Sequence, residues 1–178
     1  MLLSQIGVPF MVIPPVTAEL TPTNGDFTDV AMRNAEAKAR SVLKQAEGRI
    51  IIGADTIVDL DGLPLGKPQG AEDARRMLQM LSARTHLVHT GVAVLDAATG
   101  RLERDAATTR VCFRRLDPEE IESYVRSGQP LDKAGSYGIQ ERGALFIERV
   151  EGCFFNVIGL PLAKLWVMLK RMDYNPVE

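Results

Sequence analysis

Scarcities set the first limits on this chain. Only two cysteines occur in 178 residues, Cys112 and Cys153. They lie far apart and match no metal-ligand spacing, which sets aside a disulfide framework and a thiolate metal centre. Both are expected to be packed rather than reactive, in a reducing, cytoplasmic setting. An excess of positive charge is missing as well: 21 Lys and Arg face 23 Asp and Glu, for a net charge of −2. That balance gives no footprint for a nucleic acid polymer, although a single nucleotide needs only a few local cations. No apolar run approaches membrane-spanning length. The start has neither the basic region nor the long apolar core of a signal peptide. Internal repeats, low-complexity tracts and interdomain linkers are absent from the pattern.

What is present is ordinary for a globular protein, with 46% hydrophobic and 25% charged residues. The length fits one domain over residues 1–178, built as one body or as two small lobes around a cleft.

The most informative stretch is Ile50-Ile51-Ile52-Gly53-Ala54-Asp55-Thr56-Ile57-Val58-Asp59, continuing to Gly66-Lys67-Pro68. Three isoleucines in a row read as a buried strand. The run is then broken by Gly53 to Thr56, small residues that would let a ligand approach the backbone. A carboxylate just past a buried strand, here Asp55, sits where open α/β sheets tend to hold ligands. Asp61-Gly62 is a hairpin dipeptide that would fold Lys67 back towards Asp55. Two readings stand side by side: a metal-binding or general-base Asp55 beside a phosphate-holding Lys67, or a solvated strand end followed by a turn.

In chain order, residues 1–7 read as the last turns of a helix ended by Gly7. A short strand is expected at Phe10–Ile13, stopped by Pro14-Pro15. A polar loop follows with one acid, Glu19, and an Asn24-Gly25 turn. Asp26 can cap a helix that runs to Gly48 with Phe27, Val30, Ala31, Ala35, Ala39, Val42 and Ala46 at helical spacing. Lys38 and Arg40 in its middle are ordinarily solvated residues. A second helix from Gly70-Ala71 carries Ala74, Met77, Leu78 and Leu81. Thr85 to Leu95 alternates as a strand with one covered face, and it places His86 and His89 on opposite faces, where they cannot share a metal. Ala107 to Phe113 gives its partner. Asp117-Pro118-Glu119-Glu120 is a helix start. Leu131 to Gln140 reads as a glycine-punctuated loop in which Asp132, Lys133 and Gln140 suit polar ligand recognition or a surface salt bridge. Strands are expected at Ala144–Val150 and Phe154–Ile158. A last helix after Gly159-Leu160-Pro161 should turn Leu162, Leu165, Trp166, Leu169 and Met172 inward, and residues 173–178 form a loose tail.

Several of these segments together resemble a known family, the Maf-type nucleoside triphosphate pyrophosphatases, also called septum-formation inhibitor proteins. The residues that carry the resemblance are Gly53-Ala54-Asp55-Thr56, Gly66-Lys67-Pro68, Leu81-Ser82 with His86 and Thr90-Gly91, Asp132 through Gln140, and Glu151-Gly152 through Asn156-Val157 to Leu162. They occur in family order from about Leu2 to Leu169.

The resemblance implies a two-lobed α/β fold with an elongated mixed sheet flanked by helices around a central cleft. It implies hydrolysis of a nucleoside triphosphate to the monophosphate and pyrophosphate, with a divalent cation (Mg²⁺ or Mn²⁺) and a homodimer. By position, Asp55 matches the proton acceptor, with Glu19 and Lys67 beside it in the catalytic set. Asp55 and Glu19 would hold the metal. Lys38, Lys133, Thr56 and Gln140 would bind substrate, the last two bearing on base choice. The Tyr137-Gly138-Ile139-Gln140 version resembles the branch that prefers dTTP and UTP.

The chemistry of a triphosphate agrees with these residue types. Catalysis on it is mostly positioning and charge neutralisation. Mg²⁺ takes oxygen ligands, including one or two carboxylates, and lysines offer compact positive charge to phosphate. One departure is large. Family members open with a strand and a Ser-x-Ser-Pro-Arg-Arg loop that this sequence does not contain. The expectation is a pyrophosphatase whose start has been placed too late in this sequence, weak as written, with a catalytically impaired nucleotide-binding regulator of cell division as the alternative and a structural partner subunit as a third reading. Ala83 and Cys153 stand where the family usually has Gly and Ser.

Overall fold

A computed structural model gives the fold of the chain and describes residues 2–23 and 25–175. Asn24 of the expected turn, Met1 and the tail residues 176–178 lie outside the described residues. The elements in order are α1 (Leu2–Gln5), α2 (Phe27–Ser41), α3 (Leu43–Ala46), β1 (Ile50–Leu60), β2 (Leu63–Leu65), α4 (Ala71–Leu81), β3 (Thr85–Asp96), β4 (Leu102–Phe113), α5 (Pro118–Arg126), β5 (Ile147–Glu151), α6 (Phe154–Ile158) and α7 (Leu162–Arg171). The strands form one elongated sheet in the order β2-β1-β3-β4-β5. Helices flank this sheet, as expected, and a cleft opens along the edge of β1. Its described pairings are all antiparallel rather than mixed.

Strand β1 is longer than its hydrophobic pattern suggests. It runs straight through Gly53-Ala54-Asp55-Thr56, pairing Asp55 with Gly91 and Thr56 with Thr90 on β3. The apolar run breaks there because α2 crosses the sheet at that point. A Cβ on Gly53 would fall 2.2 Å from the carbonyl oxygen of Ala35, and one on Gly91 would fall 2.3 Å from the carbonyl carbon of Ala31. Such distances are far inside van der Waals contact. Ala31, Ala35 and Ala39 recur every fourth residue, so they share the helix face that presses down, and all three are buried. Glycine at position 53 therefore admits a helix, not a ligand.

The Asp61-Gly62 hairpin forms as its dipeptide predicts, with Leu60 opposite Leu63 and positive φ at both loop residues (52° and 85°), the arrangement that suits a two-residue turn. β2 covers only Val58 to Leu60 of its neighbour. From Ile50 to Ile57 the outer edge of β1 has no partner strand among the described residues.

Helix α4 buries Ala74, Met77, Leu78 and Leu81 as its spacing requires. Helix α5 starts at a capping box in which the Glu120 carboxylate accepts from the backbone N–H of Asp117 at 3.0 Å. Both helices pack in the larger core with Val88, Val111, Phe113 and Tyr137. A second cluster joins Val92 and Val94 to Leu165, Met168, Leu169 and Met172 of α7.

Six local expectations are corrected. Phe10–Ile13 forms no strand; it lines an apolar groove together with Val42 and Ile50–Ile52. The helix begun at Phe27 ends at Ser41, before the short α3, rather than at Gly48. Asp26 turns its carboxylate back to the N–H of Thr23 at 3.1 Å instead of capping α2. Ala144 to Phe146 belong to a 3₁₀ turn, and the strand begins only at Ile147. Phe154–Ile158 is the helix α6, because Asn156 ties it to the sheet through contacts no local pattern encodes. Trp166 sits half-buried on the flank of α7 with Lys170 over its ring, rather than inward.

The two histidines fall on opposite faces, as the alternation predicts. The buried ring of His86 bonds the Tyr137 hydroxyl at 2.7 Å. Burial drives its pKa from 6.5 down to about 4. As pH falls from about 6.5 to 4, the unfolded chain takes up a proton that the folded chain refuses, so this group withdraws stability across that window. His86→Phe should therefore show a flatter loss of melting temperature between pH 6.5 and 4 than the unaltered chain, whatever its stability at pH 7. Parallel curves would assign the acid loss to other groups.

Candidate active site

The cleft wraps the open edge of β1. It encloses about 450 Å³ and is lined by Glu19, Asn34, Lys38, Asp55, Thr56 and Lys67, with the stretch from Asp132 to Glu141 opposite. Alternation along the strand points Asp55 towards α2 and Thr56 towards α6. A ligand in the cleft therefore meets both faces of the sheet around one edge.

On the α2 face, Asp55 is the centre. Its side chain is only 7% exposed, and both carboxylate oxygens are engaged. Lys38 Nζ donates to Oδ1 at 2.5 Å and Asn34 Nδ2 donates to Oδ2 at 2.9 Å. Asn34 and Lys38 are one helical turn apart, so both project from the same side of α2. The Lys38 ammonium also meets Glu19 Oε1 at 2.6 Å. Burial works against its charge, but hydrogen bonds to Asp55 and Glu19 outweigh that and hold its pKa above the ordinary value. Two carboxylates of different exposure, 7% and 56%, thus converge on one cation. Asn34 adds a second tie: it accepts from Leu20 N–H at 2.8 Å and donates to Leu20 O at 3.0 Å. That pair of bonds fastens the proline-rich loop, and with it Glu19, to the helix.

Lys67 reaches the cleft from the end of the β2 hairpin, as its spacing predicted. It forms no ion pair within 4 Å among the described residues. Lys133 is committed locally, donating to Asp132 Oδ1 at 2.8 Å and to Gln129 O at 3.0 Å. Its stem lies over Gly138, where a Cβ would come within 2.7 Å of Lys133 Cε. Gln140 stands exposed at the rim. Thr56 is half-buried, with its Oγ1 at 2.9 Å from that of Thr90. All seven residues expected from the sequence line this one cleft.

Sequence reasoning gave no site role to three further residues. Asn34 was readable as the one polar residue breaking the Ala31, Ala35, Ala39 face one turn before Lys38. Thr90 was readable as the direct cross-strand partner of Thr56 only once the register was known. Asn156, like Thr90, lay in a stretch that carries the family resemblance, but nothing local gave it a role.

The donor set can be tested against a divalent cation. No group of three or more His, Cys, Asp or Glu side chains converges among the described residues. Asp55 and Glu19 alone supply two carboxylate oxygens within 2.6 Å of one point, now held by an ammonium. That is the complement Mg²⁺ takes when phosphate oxygens and water complete its shell. The residues fit such an ion bound together with a polyphosphate.

Comparison with known proteins gives a consistent picture. A family model described as Maf-like protein matches residues 1–172. A dTTP/UTP pyrophosphatase of Pelotomaculum thermopropionicum is 45% identical over 176 residues, covering 98% of this chain and 91% of that one. A dTTP/UTP pyrophosphatase of Dictyoglomus turgidum is 42% identical over 98% of this chain and 91% of its own length. One from Nitratidesulfovibrio vulgaris is 46% identical over 94% of this chain and 80% of its own. Among solved structures, a nucleoside-triphosphatase, dITP/XTP pyrophosphatase from Mycobacterium abscessus aligns over 65% of this chain and 66% of its own with 18% identity and a TM-score of 0.36, too low to bear on function.

Proposed function

The chain belongs to the Maf-like protein family, and from that premise we propose that it hydrolyses nucleoside triphosphates, dTTP and UTP foremost, to the nucleoside monophosphate and pyrophosphate. The observation that carries the reading is the buried Asp55 carboxylate, held by Asn34 and Lys38 at the edge of a cleft that also receives Lys67. This cluster favours an enzyme over a regulator that has lost its chemistry.

In this reading Asp55 accepts the proton of a water molecule. The water oxygen bonds to the α-phosphorus. The bond from that phosphorus to the bridging oxygen breaks, and pyrophosphate leaves with the bridging oxygen. Asn34 keeps Oδ2 in a fixed direction. Lys67 and Lys38 place positive charge beside the phosphate oxygens, where charge stabilisation does most of the work in phosphoryl chemistry. Lys133 joins them by releasing Asp132. A divalent cation held by Asp55 and Glu19 would neutralise phosphate charge and acidify bound water. With such an ion between the two carboxylates, Lys38 would be free to face the phosphate chain. A homodimer in the cytoplasm completes the reading.

The test is release of pyrophosphate from dTTP, UTP, GTP and ATP with Mg²⁺, for the unaltered chain and for Gln140→Ala. The chain should favour dTTP and UTP, and Gln140→Ala should narrow the spread, since a site built on hydrogen bonds rejects a base that leaves its polar groups unpaired. No release from any of the four would refute the activity. An unchanged spread in the variant would remove Gln140 from base selection.

A further inference from the structure

We propose that Thr90 fixes the polarity of the Thr56 hydroxyl, so that Thr56 meets the substrate base only as an acceptor and selects the N3–H imide that uracil and thymine share. The inference rests on the pyrimidine-nucleotide reading above and adds the residue that makes the choice.

Thr90 Oγ1 lies 2.9 Å from the backbone oxygen of Asn156. A carbonyl oxygen only accepts, so the single hydroxyl proton of Thr90 is committed there. Thr56 Oγ1 lies 2.9 Å from Thr90 Oγ1. One of these two hydroxyls donates to the other, and Thr90 has no second proton to give. Thr56 therefore donates to Thr90, and only its lone pairs remain for the cleft it lines.

The acceptor on which this count depends does not drift. Thr90 and Asn156 are both fully buried. The Asn156 side chain donates to Val88 O and to Thr109 Oγ1, each at 2.9 Å. Thr109 in turn donates to Cys153 O at 3.0 Å and accepts from Cys153 N–H at 3.1 Å. Every proton from Cys153 to Thr56 thus has one direction, and the five-residue α6 is pinned to β3 and β4. Of these groups only the Asn156 Oδ1 is left without a partner among the described residues, and it takes no part in the proton count.

Uracil and thymine carry a proton at N3 and cytosine carries a lone pair there. A lone pair opposite Thr56 Oγ1 leaves two acceptors facing each other with no proton between them. Gln140 cannot make this distinction alone. Its amide is exposed, offers both a donor and an acceptor, and turns over to suit either base. Thr90, which touches no part of the base, is a positioning residue.

The experiment measures kcat and KM for UTP and CTP with the unaltered chain, Thr90→Val and Thr90→Ser. Valine keeps the shape and frees the Thr56 proton to point into the cleft. The unaltered chain should prefer UTP over CTP by about tenfold or more in kcat/KM, the scale of one hydrogen bond gained or lost. Thr90→Val should reduce that ratio about tenfold, mainly through KM, and Thr90→Ser should restore it. A purely structural role would lower both substrates alike and leave the ratio intact, which would overturn the proposal. If Thr90→Val does not fold, the unaltered chain decides: equal use of UTP and CTP overturns it. Absence of release from UTP and dTTP alike strikes down the pyrimidine reading and the relay with it. Turnover of UTP with an unmoved ratio strikes down the relay alone.

Discussion

Asp55→Asn is expected to cut pyrophosphate release from dTTP by about 10²–10⁴-fold, the range typical of a lost general base. Asparagine has nearly the same shape and can still meet Asn34, so the sheet around it should hold. What changes is charge. Lys38 loses its 2.5 Å partner but keeps Glu19 at 2.6 Å. Its side chain is 18% exposed, so water reaches it, and the penalty of stranding a fully buried charge does not apply. The melting temperature should therefore move by a few degrees at most, since about 1 kcal/mol corresponds to roughly 2–4 °C in a chain of this size. Turnover and stability measured on the same preparation check both halves. Full turnover would remove Asp55 from the chemistry, and a global loss of structure would make it a folding residue first.

Gly53→Ala is expected to have the largest effect on stability. The new Cβ would lie 2.2 Å from Ala35 O and 3.1 Å from Ala39 Cβ, and both belong to a helix backbone that cannot swing aside. Overpacking of this kind costs about 1–3 kcal/mol, sometimes more. Because α2 also carries Asn34 and Lys38, any shift that relieves the clash moves them away from Asp55. Activity should fall even in molecules that remain folded. Gly66→Ala is the matched control: a Cβ there meets nothing within 4 Å and its φ is not positive, so its urea midpoint should stay close to that of the unaltered chain. Equal midpoints for the two variants would mean that the α2 contact yields more easily than its geometry indicates.

The same pair of glycines shows where sequence reading succeeds and where it stops. Elements whose logic is local were legible. The Asp61-Gly62 turn and the α5 start at Asp117 follow from residues within a few positions of one another, whereas β3, expected to cover one face, is buried on both from His89 to Leu95 because helices pack on either side of it. The cleft was legible too, because its residues carry chemistry in their side chains and lie on segments with a recognisable order. Gly53 was misread because a glycine in a strand has two explanations, ligand approach and helix approach, and only the crossing of α2 separates them. Phe154–Ile158 was misread for a related reason: its aromatic and branched residues favour a strand, while the bonds from Asn156 to Val88 and Thr109 impose a helix from 40 residues and more away along the chain. Thr90 belongs to the same class, since a pairing register set by the whole sheet gives it its role.

The central claim is that water attacks the α-phosphorus of a pyrimidine nucleoside triphosphate with Asp55 as the base. Hydrolysis of dTTP in ¹⁸O-labelled water tests it most directly. Equal amounts of dTMP and pyrophosphate, with the label confined to dTMP and the rate lost in Asp55→Asn, are the result the account predicts. Label in pyrophosphate, products of dTDP and inorganic phosphate, or an undiminished rate in Asp55→Asn would contradict it.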